Sequence, residues 1–311
     1  MNYNSFIKRN IKKYPESERL DIFKLLYQDN LLVGHLINSG KALEYLNLEV
    51  KTLDLLTNDL LYEFINEDVT RVNIIPFLKI YDCNYLIDLF IKTSKIKQKN
   101  NLYQDSLKYN LLDYYNKYLD NPPSHSEKYR NTYHPHYRVV ATSLLNSEIR
   151  ALKLQNFIES IRSDKLQIIC LEGRCGSGKS TISKLLKDVT VIEMDDHFDG
   201  EPVNVEYLDK LLSNLKLGLE FTEECYNCQK NSYYQKKKEV KNIVVVEGVY
   251  GYLPVLRKHF DYLAYVVIDK NLQIERIKSR HNYQQFIEKW IPREEEYFQK
   301  YDFILNADIL I

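Results

Sequence analysis

Residues 173 to 180 have the composition and spacing of a phosphate-binding loop. They satisfy the pattern G-x-x-x-x-G-K-[ST] in full, and the predicted nucleotide-binding residues here are Gly173, Arg174, Cys175, Gly176, Ser177, Gly178, Lys179, Ser180 and Thr181. Glycines let the backbone curl until its N–H groups face phosphate oxygens, and the helix that follows adds the positive end of its dipole. We therefore expect Lys179 to neutralise the β- and γ-phosphates of ATP and Ser180 to place its hydroxyl on Mg²⁺.

Two acidic residues follow the two apolar runs that come next after this loop in the chain. Asp195 comes after the run ending at Met194, and Glu247 comes after the run ending at Val246. Carboxyl ends of parallel strands meet at one edge of a sheet, so both side chains are expected beside the bound phosphates. We assign Asp195 to accept the proton of a substrate hydroxyl, with a secondary role at the metal, and Glu247 to hold Mg²⁺. Both could instead cap helices, which is the common role of an isolated carboxylate.

Neighbouring residues allow more than one interpretation. Asp196 is a candidate for contacting the acceptor substrate, or a helix cap. His197 could equally line the acceptor pocket or cap a helix, and the sequence leaves this choice open.

Five short apolar runs rich in β-branched residues must position this chemistry. They are separated by helical or loop sequence, and they span Leu166–Leu171, Val189–Met194, Asn242–Val246, Tyr262–Ile268 and Ala307–Ile311. Continuous apolarity is typical of strands covered on both faces, as in a parallel sheet with crossover helices. The second half of the chain is therefore predicted to be a doubly wound, five-stranded α/β domain.

The first half has the periodicity of amphipathic helices. Between about residues 16 and 120 apolar residues recur at helical spacing, for example Leu53, Leu56, Leu60 and Phe64, and then Leu78, Tyr81, Tyr85 and Leu89. Consecutive prolines at 122 and 123 end this pattern. We predict a mostly α-helical domain over residues 1–140, a connecting helix over 141–163, and the α/β domain over 164–311.

Composition excludes several classes of partner. The 311 residues carry 43 Lys and Arg against 43 Asp and Glu, so the formal net charge is zero. Duplex nucleic acid and anionic membranes are consequently poor expected partners. Five cysteines without a secretory leader, and no apolar run near the length of a membrane span, indicate a reducing cytoplasm. A single small anionic ligand remains compatible with this balance.

Several motifs, taken together and in order, resemble the uridine kinase-like branch of P-loop nucleoside kinases. The resemblance covers about residues 164–311 and is carried by GRCGSGKST, EMDDHFD, VVVEGVY followed by Leu253-Pro254, IERIKSRHN, FIEKWIPREEEYF and ADILI. It implies the fold predicted above, with ATP and Mg²⁺ as cofactors. It also implies a catalytic base at Asp195 and a magnesium-assisting carboxylate at Glu247, in agreement with the assignment from strand ends.

The same resemblance implies a lid and a substrate hairpin. Arg276 and Arg280 are four residues apart, so on one helix face they would clamp phosphates, although a solvated helix face is an equal alternative. Residues 221–229 resemble the hairpin that carries an aromatic-acid pair at the nucleoside site. Phe198 and Tyr226 are candidate walls of the acceptor pocket, while Asn227 replaces the acid, which leaves acceptors other than ribonucleosides open.

Two other groups of residues have more than one interpretation. Cys225 and Cys228 form a C-x-x-C pair, but no second pair completes a structural zinc site, so we interpret them as hairpin residues. Residues 124–138 concentrate histidines and arginines. This segment could form an anion or metal site, with Arg130 and Arg138 as candidates for a phosphate contact, or it could dock onto the kinase half.

Two functions from different classes are compatible with the sequence. The first is ATP-dependent phosphoryl transfer to a hydroxyl of a small molecule, with a nucleoside as the preferred acceptor. The second is a nucleotide-binding regulator whose helical module binds a protein or a nucleic acid. Asp195 and the acceptor-like hairpin favour the first function, while Asn227 and the unexplained helical module keep the second open. The acceptor, the preferred donor base and the oligomeric state are left undetermined.

Overall fold

The computed structural model describes residues 4–31, 39–53, 59–96, 99–119, 121, 123–198, 204–218, 222–227 and 230–311. The chain divides into two compact units, Met1–Leu145 and Asn146–Ile311. In the described part of the chain, no helix combines the length and the apolarity that crossing a lipid bilayer needs.

A parallel sheet organises the second unit. Its described strands are β4 (Gln167–Gly173), β5 (Thr190–Glu193), β8 (Ile243–Gly248), β9 (Tyr262–Val266) and β10 (Ile309–Leu310). They pair in the order β10-β9-β4-β8-β5, and every pairing is parallel. Strand β4, the first of this unit along the chain, therefore lies in the middle of the sheet, where the strand order reverses. That reversal creates a crevice at the carboxyl ends of the strands.

Helices cover both faces of this sheet. They are α9 (Ser147–Ile161), α10 (Lys179–Leu185), α11 (Val205–Lys216), α12 (Pro254–Arg257), α13 (Lys270–Lys278), α14 (Tyr283–Gln285), α15 (Ile291–Lys300) and α16 (Phe303–Asn306), with a π-helical turn at Phe286–Trp290 and a 3-10 turn at Met194–His197. One core packs α9 and α10 against the sheet around Leu154 and Ile182, and the other packs α11 around Leu212. An antiparallel hairpin, β6 (Thr222–Asn227) and β7 (Ser232–Lys237), follows α11.

The predicted fold class is confirmed. Each of the five apolar runs overlaps one strand of the parallel sheet. Strands β4, β8, β9 and β10 are almost completely buried, as a sheet covered on both faces requires, while residues of the edge strand β5 alternate between buried and partly exposed. The second unit is a doubly wound α/β domain on a five-stranded parallel sheet.

The first unit is mostly α-helical, as predicted. Its described helices are α1 (Ser5–Lys13), α2 (Arg19–Leu31), α3 (Ser39–Val50), α4 (Ile74–Leu78), α5 (Cys83–Ser94), α6 (Leu102–Lys108), α7 (Leu112–Tyr118) and α8 (Glu127–Tyr133), and a 3-10 turn spans Thr142–Leu144. The largest core of this unit packs α1 and α2 against α6 and α7 around Phe23 and Leu111.

This unit also contains a three-stranded antiparallel sheet that helical periodicity did not predict. Strand β2 (Val69–Asn73) lies between β1 (Tyr62–Phe64) and β3 (Tyr137–Ala141). The predicted helical stripe through Leu60 and Phe64 is wrong, because Phe64 is a strand residue, and Leu56 lies outside the described residues. Strand β1 is too short to show alternation, and its sheet is completed by a strand about seventy residues later, so local spacing carried no signal.

The histidine-rich segment is anchored inside its own unit. His125 contacts Asp21 and Tyr137, each at 2.7 Å. His136 and Arg138 contact Glu49 at 3.2 and 2.7 Å. His134 is exposed and ends α8 in the left-handed conformation.

Candidate active site

The phosphate loop has the backbone conformation that its glycines permit. Gly176 and Gly178 have φ angles of +76° and +98°, a region in which side chains are strained. A methyl group on Gly173 would lie 2.9 Å from the carbonyl oxygen of Val266 on the neighbouring strand. The loop is therefore held close against the sheet, and α10 begins at Lys179 immediately after it.

Lys179 lies inside the loop. Its Nζ donates to the carbonyl oxygens of Gly173 at 2.6 Å and Arg174 at 3.1 Å, and the side chain is buried. Two backbone carbonyls thus hold the ammonium group inside the loop, and phosphate oxygens would replace them as its partners.

The sheet register brings both predicted carboxylates to the loop. In β8, Glu247 pairs with Leu171 of β4 on one side and with Glu193 of β5 on the other. Asp195 lies two residues after Glu193, in the 3-10 turn that ends β5. Asp195 and Glu247 line one cavity of about 580 Å³ together with most of the phosphate loop, namely Cys175, Gly176, Gly178, Lys179, Ser180 and Thr181.

The electrostatics of Glu247 reflect this crowding. Burial raises the pKa of its carboxyl, and the negative charges of Asp195 and Glu193 raise it further. A hydrogen bond from Ser180 and the charge of Lys179 oppose the increase in pKa. The carboxylates of Asp195 and Glu193 therefore disfavour the negative charge of Glu247, while Ser180 and Lys179 favour it.

This donor set fits a magnesium ion. Mg²⁺ prefers hard oxygen ligands and is usually held by one or two carboxylates together with substrate phosphates. Ser180, Glu247 and Asp195 supply such oxygens in one cavity, and a cation there would offset the mutual repulsion of Asp195 and Glu247.

Five aromatic side chains also line this cavity. The lining residues of this kind are Phe198, Tyr226, Tyr250, Phe286 and Trp290. The rings of Phe198 and Trp290 meet edge to face with centroids 6.3 Å apart. The two predicted acceptor walls thus lie at the cavity, and Trp290 lies there too.

The two lid arginines diverge. Helix α13 ends at Lys278, so Arg280 lies beyond it and the two side chains do not share one helix face. Arg276 donates to the carbonyl oxygens of Gly176 and Ser177 at 3.2 and 3.4 Å, on the outside of the loop. Arg280 lines the cavity and lies over the ring of Phe286 at 5.0 Å. Of the two, Arg280 has the position to reach a phosphate.

Other predicted residues lie beside the cavity without lining it. Asp196 accepts hydrogen bonds from Lys236 and, at 3.4 Å, from Tyr234. Arg174 forms an ion pair with Glu295 and lies over the Phe298 ring. Gly173 and Ser177 belong to the loop but do not line the described cavity.

His197 and Cys225 lie beside the carboxylate of Glu223. His197 is buried and contacts Glu223 at 3.0 Å, while Lys238 contacts the same carboxylate at 2.6 Å. Ligand atoms of Asp196, Glu223 and Cys225 lie within 4.8 Å of one another. Lys236 and Lys238 already balance the two carboxylates, so this group resembles an ion-pair cluster rather than a metal site. Cys228 lies outside the described residues.

The sequence did not identify two buried carboxylates that hold the loop. Glu172 accepts hydrogen bonds from the N–H of Gly173 at 3.0 Å, the hydroxyl of Tyr297 at 2.8 Å and the N–H of Tyr252 at 3.3 Å. Glu294 of α15 accepts from the N–H of Cys175 at 2.9 Å and lines the cavity. Burial raises the pKa of Glu172 to about 7 and also raises the pKa of Glu294.

A sequence signal existed for only one of these carboxylates. Glu172 is an acid inside an otherwise apolar strand, directly before the first loop glycine, and such a residue needs buried partners. Glu294 lies in a helix with several other glutamates, and only the packing of α15 distinguishes it.

Similarity to known proteins is found among solved structures. No family model and no curated protein matches the chain. Among solved structures, the chain is similar to a possible uridine kinase from Bacillus stearothermophilus, with 22% identity, 52% of this chain and 97% of that chain covered, and a TM-score of 0.42. It is also similar to a putative fructose transport system kinase from Silicibacter sp. TM1040, with 17% identity, 54% and 99% covered, and a TM-score of 0.38.

Proposed function

We propose that the second unit is an ATP-dependent kinase that transfers the γ-phosphoryl group to a hydroxyl of a small molecule. One observation carries this proposal: Lys179, Ser180, Asp195 and Glu247 line a single cavity, and five aromatic side chains line the same cavity. A phosphate site, acidic groups and a separate apolar pocket are the parts that phosphoryl transfer to an acceptor requires.

Positioning and charge neutralisation supply the catalysis. The loop N–H groups and Lys179 bind the phosphates, and Arg280 adds positive charge from the opposite side of the cavity. Asp195 orients the acceptor hydroxyl and takes its proton as the oxygen attacks the γ-phosphorus; the bond from that phosphorus to the bridging oxygen breaks, and ADP leaves. Ser180 and Glu247 hold Mg²⁺, which supplies neutralisation of the phosphate charge when it is bound.

A nucleoside is the acceptor that the cavity suits best. Phe198, Tyr226 and Trp290 offer flat apolar surfaces for a planar base. The side-chain oxygen of Asn227 accepts a hydrogen bond from the N–H of Lys230 within the hairpin turn, at 3.0 Å. Recognition of the acceptor therefore depends on the aromatic walls more than on Asn227.

The test is ADP release by the full chain with ATP and Mg²⁺, with and without a panel of nucleosides, pantothenate and sugars. We expect turnover that depends on one acceptor and that falls by at least about a hundredfold in Asp195→Asn, because a positioned general base contributes that much.

Asp196→Asn is the matched control. This neighbouring carboxylate contacts Lys236 and does not line the cavity, so its removal should leave kcat within about threefold, well below the effect of losing a general base. Hydrolysis of ATP that no acceptor stimulates and that Asp195→Asn leaves unchanged would contradict the kinase and favour the nucleotide-binding regulator.

A further inference from the structure

Two side chains of α13 that do not line the described cavity hold the phosphate loop. The side-chain amide of Gln273 donates to the carbonyl oxygen of Cys175 at 3.1 Å, and Gln273 is 2% exposed. Arg276 donates to the carbonyl oxygens of Gly176 at 3.2 Å and Ser177 at 3.4 Å. Gln273 and Arg276 are three residues apart, so they share one face of α13. Three consecutive carbonyls of the loop therefore point toward this helix.

The planar trans peptide bond converts these contacts into a direction for the loop N–H groups. In each peptide unit the C=O of one residue and the N–H of the next point in opposite directions. Because the carbonyl of Cys175 points at α13, the N–H of Gly176 points away from that helix. The carbonyl of Ser177 also points at α13, so the N–H of Gly178 points away from it as well. Both glycines line the cavity, and their N–H groups are therefore directed to the side on which phosphates would bind.

The loop itself does not use these two glycine N–H groups. Among the described residues, neither of them donates to a backbone carbonyl. The N–H of Ser177, which lies between them in the chain, donates to the carbonyl oxygen of Arg174 at 3.1 Å. Accordingly, Ser177 does not line the described cavity, whereas Gly176 and Gly178 do. The loop thus presents alternate N–H groups to the cavity and keeps the one between them for its own turn.

Close packing keeps α13 against the loop. A methyl group on Gly176 would lie 3.4 Å from the side chain of Ile277 and 3.5 Å from the carbonyl oxygen of Gln273. A methyl group on Gly178 would lie 3.8 Å from a guanidinium nitrogen of Arg276. Ile277 is completely buried. The helix therefore lies in van der Waals contact with both glycines, and its two hydrogen-bond donors are already in place without a ligand.

We propose that Gln273 and Arg276 are positioning residues for nucleotide binding, which orient the N–H groups of Gly176 and Gly178 toward the phosphates of ATP. N–H groups that already point at the ligand stabilise its charge without the cost of reorienting the backbone. Without the two donors the glycine peptides can rotate, because glycine adopts both signs of φ readily. The proposal rests on the phosphate site of the proposed function, and it assigns Arg276 a role through the loop instead of a phosphate contact.

The experiment measures the affinity of the full chain for ADP with Mg²⁺ by isothermal titration calorimetry. Gln273→Met keeps the length of the side chain and its lack of charge but removes the donor. It should weaken ADP binding at least about tenfold, since a hydrogen bond to a charged group contributes that much. Arg276→Met should weaken binding at least as much, because it releases two carbonyls. Arg276→Lys keeps a donor and the charge, and should bind ADP within about threefold of the native protein.

A nuclear magnetic resonance measurement reports the direction of the Gly176 N–H itself. Residues 175 and 176 form the only Cys-Gly pair in the sequence, so protein labelled with ¹³C at cysteine carbonyls and ¹⁵N at glycine gives one carbonyl-selected amide signal. In the native protein this amide proton should shift downfield at saturating ADP, because the N–H forms a charge-assisted hydrogen bond with a phosphate. In Gln273→Met, also at saturating ADP, the downfield shift should be lost.

Lys278→Gln is the matched control. Lys278 is an exposed cation on the same helix, so its removal should leave both the ADP affinity and the Gly176 signal unchanged. An unchanged affinity and an unchanged Gly176 shift in Gln273→Met would overturn the proposal. If Gln273→Met does not fold, as judged by circular dichroism, Arg276→Met decides through the amide of Gly178, which belongs to one of two Ser-Gly pairs in the sequence. A full downfield shift of that amide at saturating ADP would show that Arg276 acts by charge alone, and would overturn its positioning role.

This test is separate from that of the kinase, because ADP binding is measured without an acceptor. A native protein that binds ADP but phosphorylates no acceptor contradicts the proposed kinase and leaves the positioning role of Gln273 and Arg276 standing. A native protein that does not bind ADP contradicts both.

Discussion

The phosphate loop and the buried polar network around Arg71 hold positive charge in opposite ways. The loop uses eight consecutive residues, with glycines that turn backbone N–H groups inward and one lysine. In the network, the guanidinium of Arg71 on β2 contacts Gln28 of α2 and the ring of Tyr137 of β3, which come from distant parts of the chain. A backbone site is specified by local conformation, whereas a side-chain network depends on the packing of distant elements.

The comparison also concerns buried acids. Glu172 behind the loop and Asp21 in the network are both almost fully buried and both accept several hydrogen bonds. Burial raises the pKa of Glu172 to about 7, while at Asp21 hydrogen bonds from His125 and Ser126 overcome the effect of burial and lower the pKa to about 2. The number and type of donors, rather than burial itself, determine which acid carries a charge at neutral pH.

The largest expected effect is at the phosphate loop. Lys179→Ala should lower kcat by at least about a hundredfold, because one preorganised charge at the phosphates contributes that much, and it should leave the stability of the first unit unchanged. ADP release and calorimetric unfolding of the same protein measure both. Lys184→Ala, an exposed lysine of the same helix, is the control and should retain full turnover.

The second prediction concerns the pH dependence of the second unit. Because the pKa of Glu172 is about 7 in the folded state against an ordinary value of 4.5, the folded state binds more protons between these values. The free energy of unfolding therefore falls as pH rises through this window, by roughly 3 kcal/mol. Glu172→Gln should flatten that slope, as measured by calorimetric unfolding at pH 5 and pH 8. An unchanged slope would contradict the assignment.

The first unit should respond to pH in the opposite direction. Burial lowers the pKa of His125 from 6.5 to about 3, so the folded state binds fewer protons between these values. Stability should then rise with pH across this window by a few kcal/mol. We expect His125→Asn to reduce the slope, while His134→Asn, at an exposed left-handed position that asparagine tolerates, should not. Two calorimetric transitions that shift in parallel with pH would disagree with this comparison.

A third change tests the close packing at the end of β8. A methyl group on Gly248 would lie 2.5 Å from Cβ of Met194, so one of the two segments that carry Glu247 and Asp195 must move. Gly248→Ala should cost about 1 to 3 kcal/mol of stability and should also lower kcat, because it would displace one of the two carboxylates. Gly218→Ala is the control: that glycine has φ +69° and nothing within 4 Å of the added methyl group, so it should lose stability alone.

The smallest effect is expected at the ion pair between Arg138 and Glu49. Both side chains are half-buried, and such a pair contributes up to about 1 kcal/mol. Arg138→Gln should thus cause only a slight loss of thermal stability, measured by calorimetric unfolding. A loss well above about 1 kcal/mol would contradict this prediction.

Much of the second unit was predictable from neighbouring residues. The five strands, the phosphate loop and the positions of Asp195 and Glu247 at strand ends followed from short apolar runs and one contiguous motif, because strand propensity and glycine turns act over a few residues. The cavity that joins them required the strand order, which places β8 between β4 and β5.

Other features came only from contacts between distant segments. Sequence spacing suggested one helix face for Arg276 and Arg280, but α13 ends between them. The sequence also suggested a substrate contact for Asp196, but this carboxylate forms an ion pair with Lys236 of the hairpin. The sheet of the first unit, the saturation of Asp21 and the contacts of the buried Arg71 with Gln28 and Tyr137 have no local signature at all. Hydrogen bonds and burial between residues far apart in the chain depend on three-dimensional packing, whereas the phosphate loop is encoded by the conformational preferences of adjacent residues.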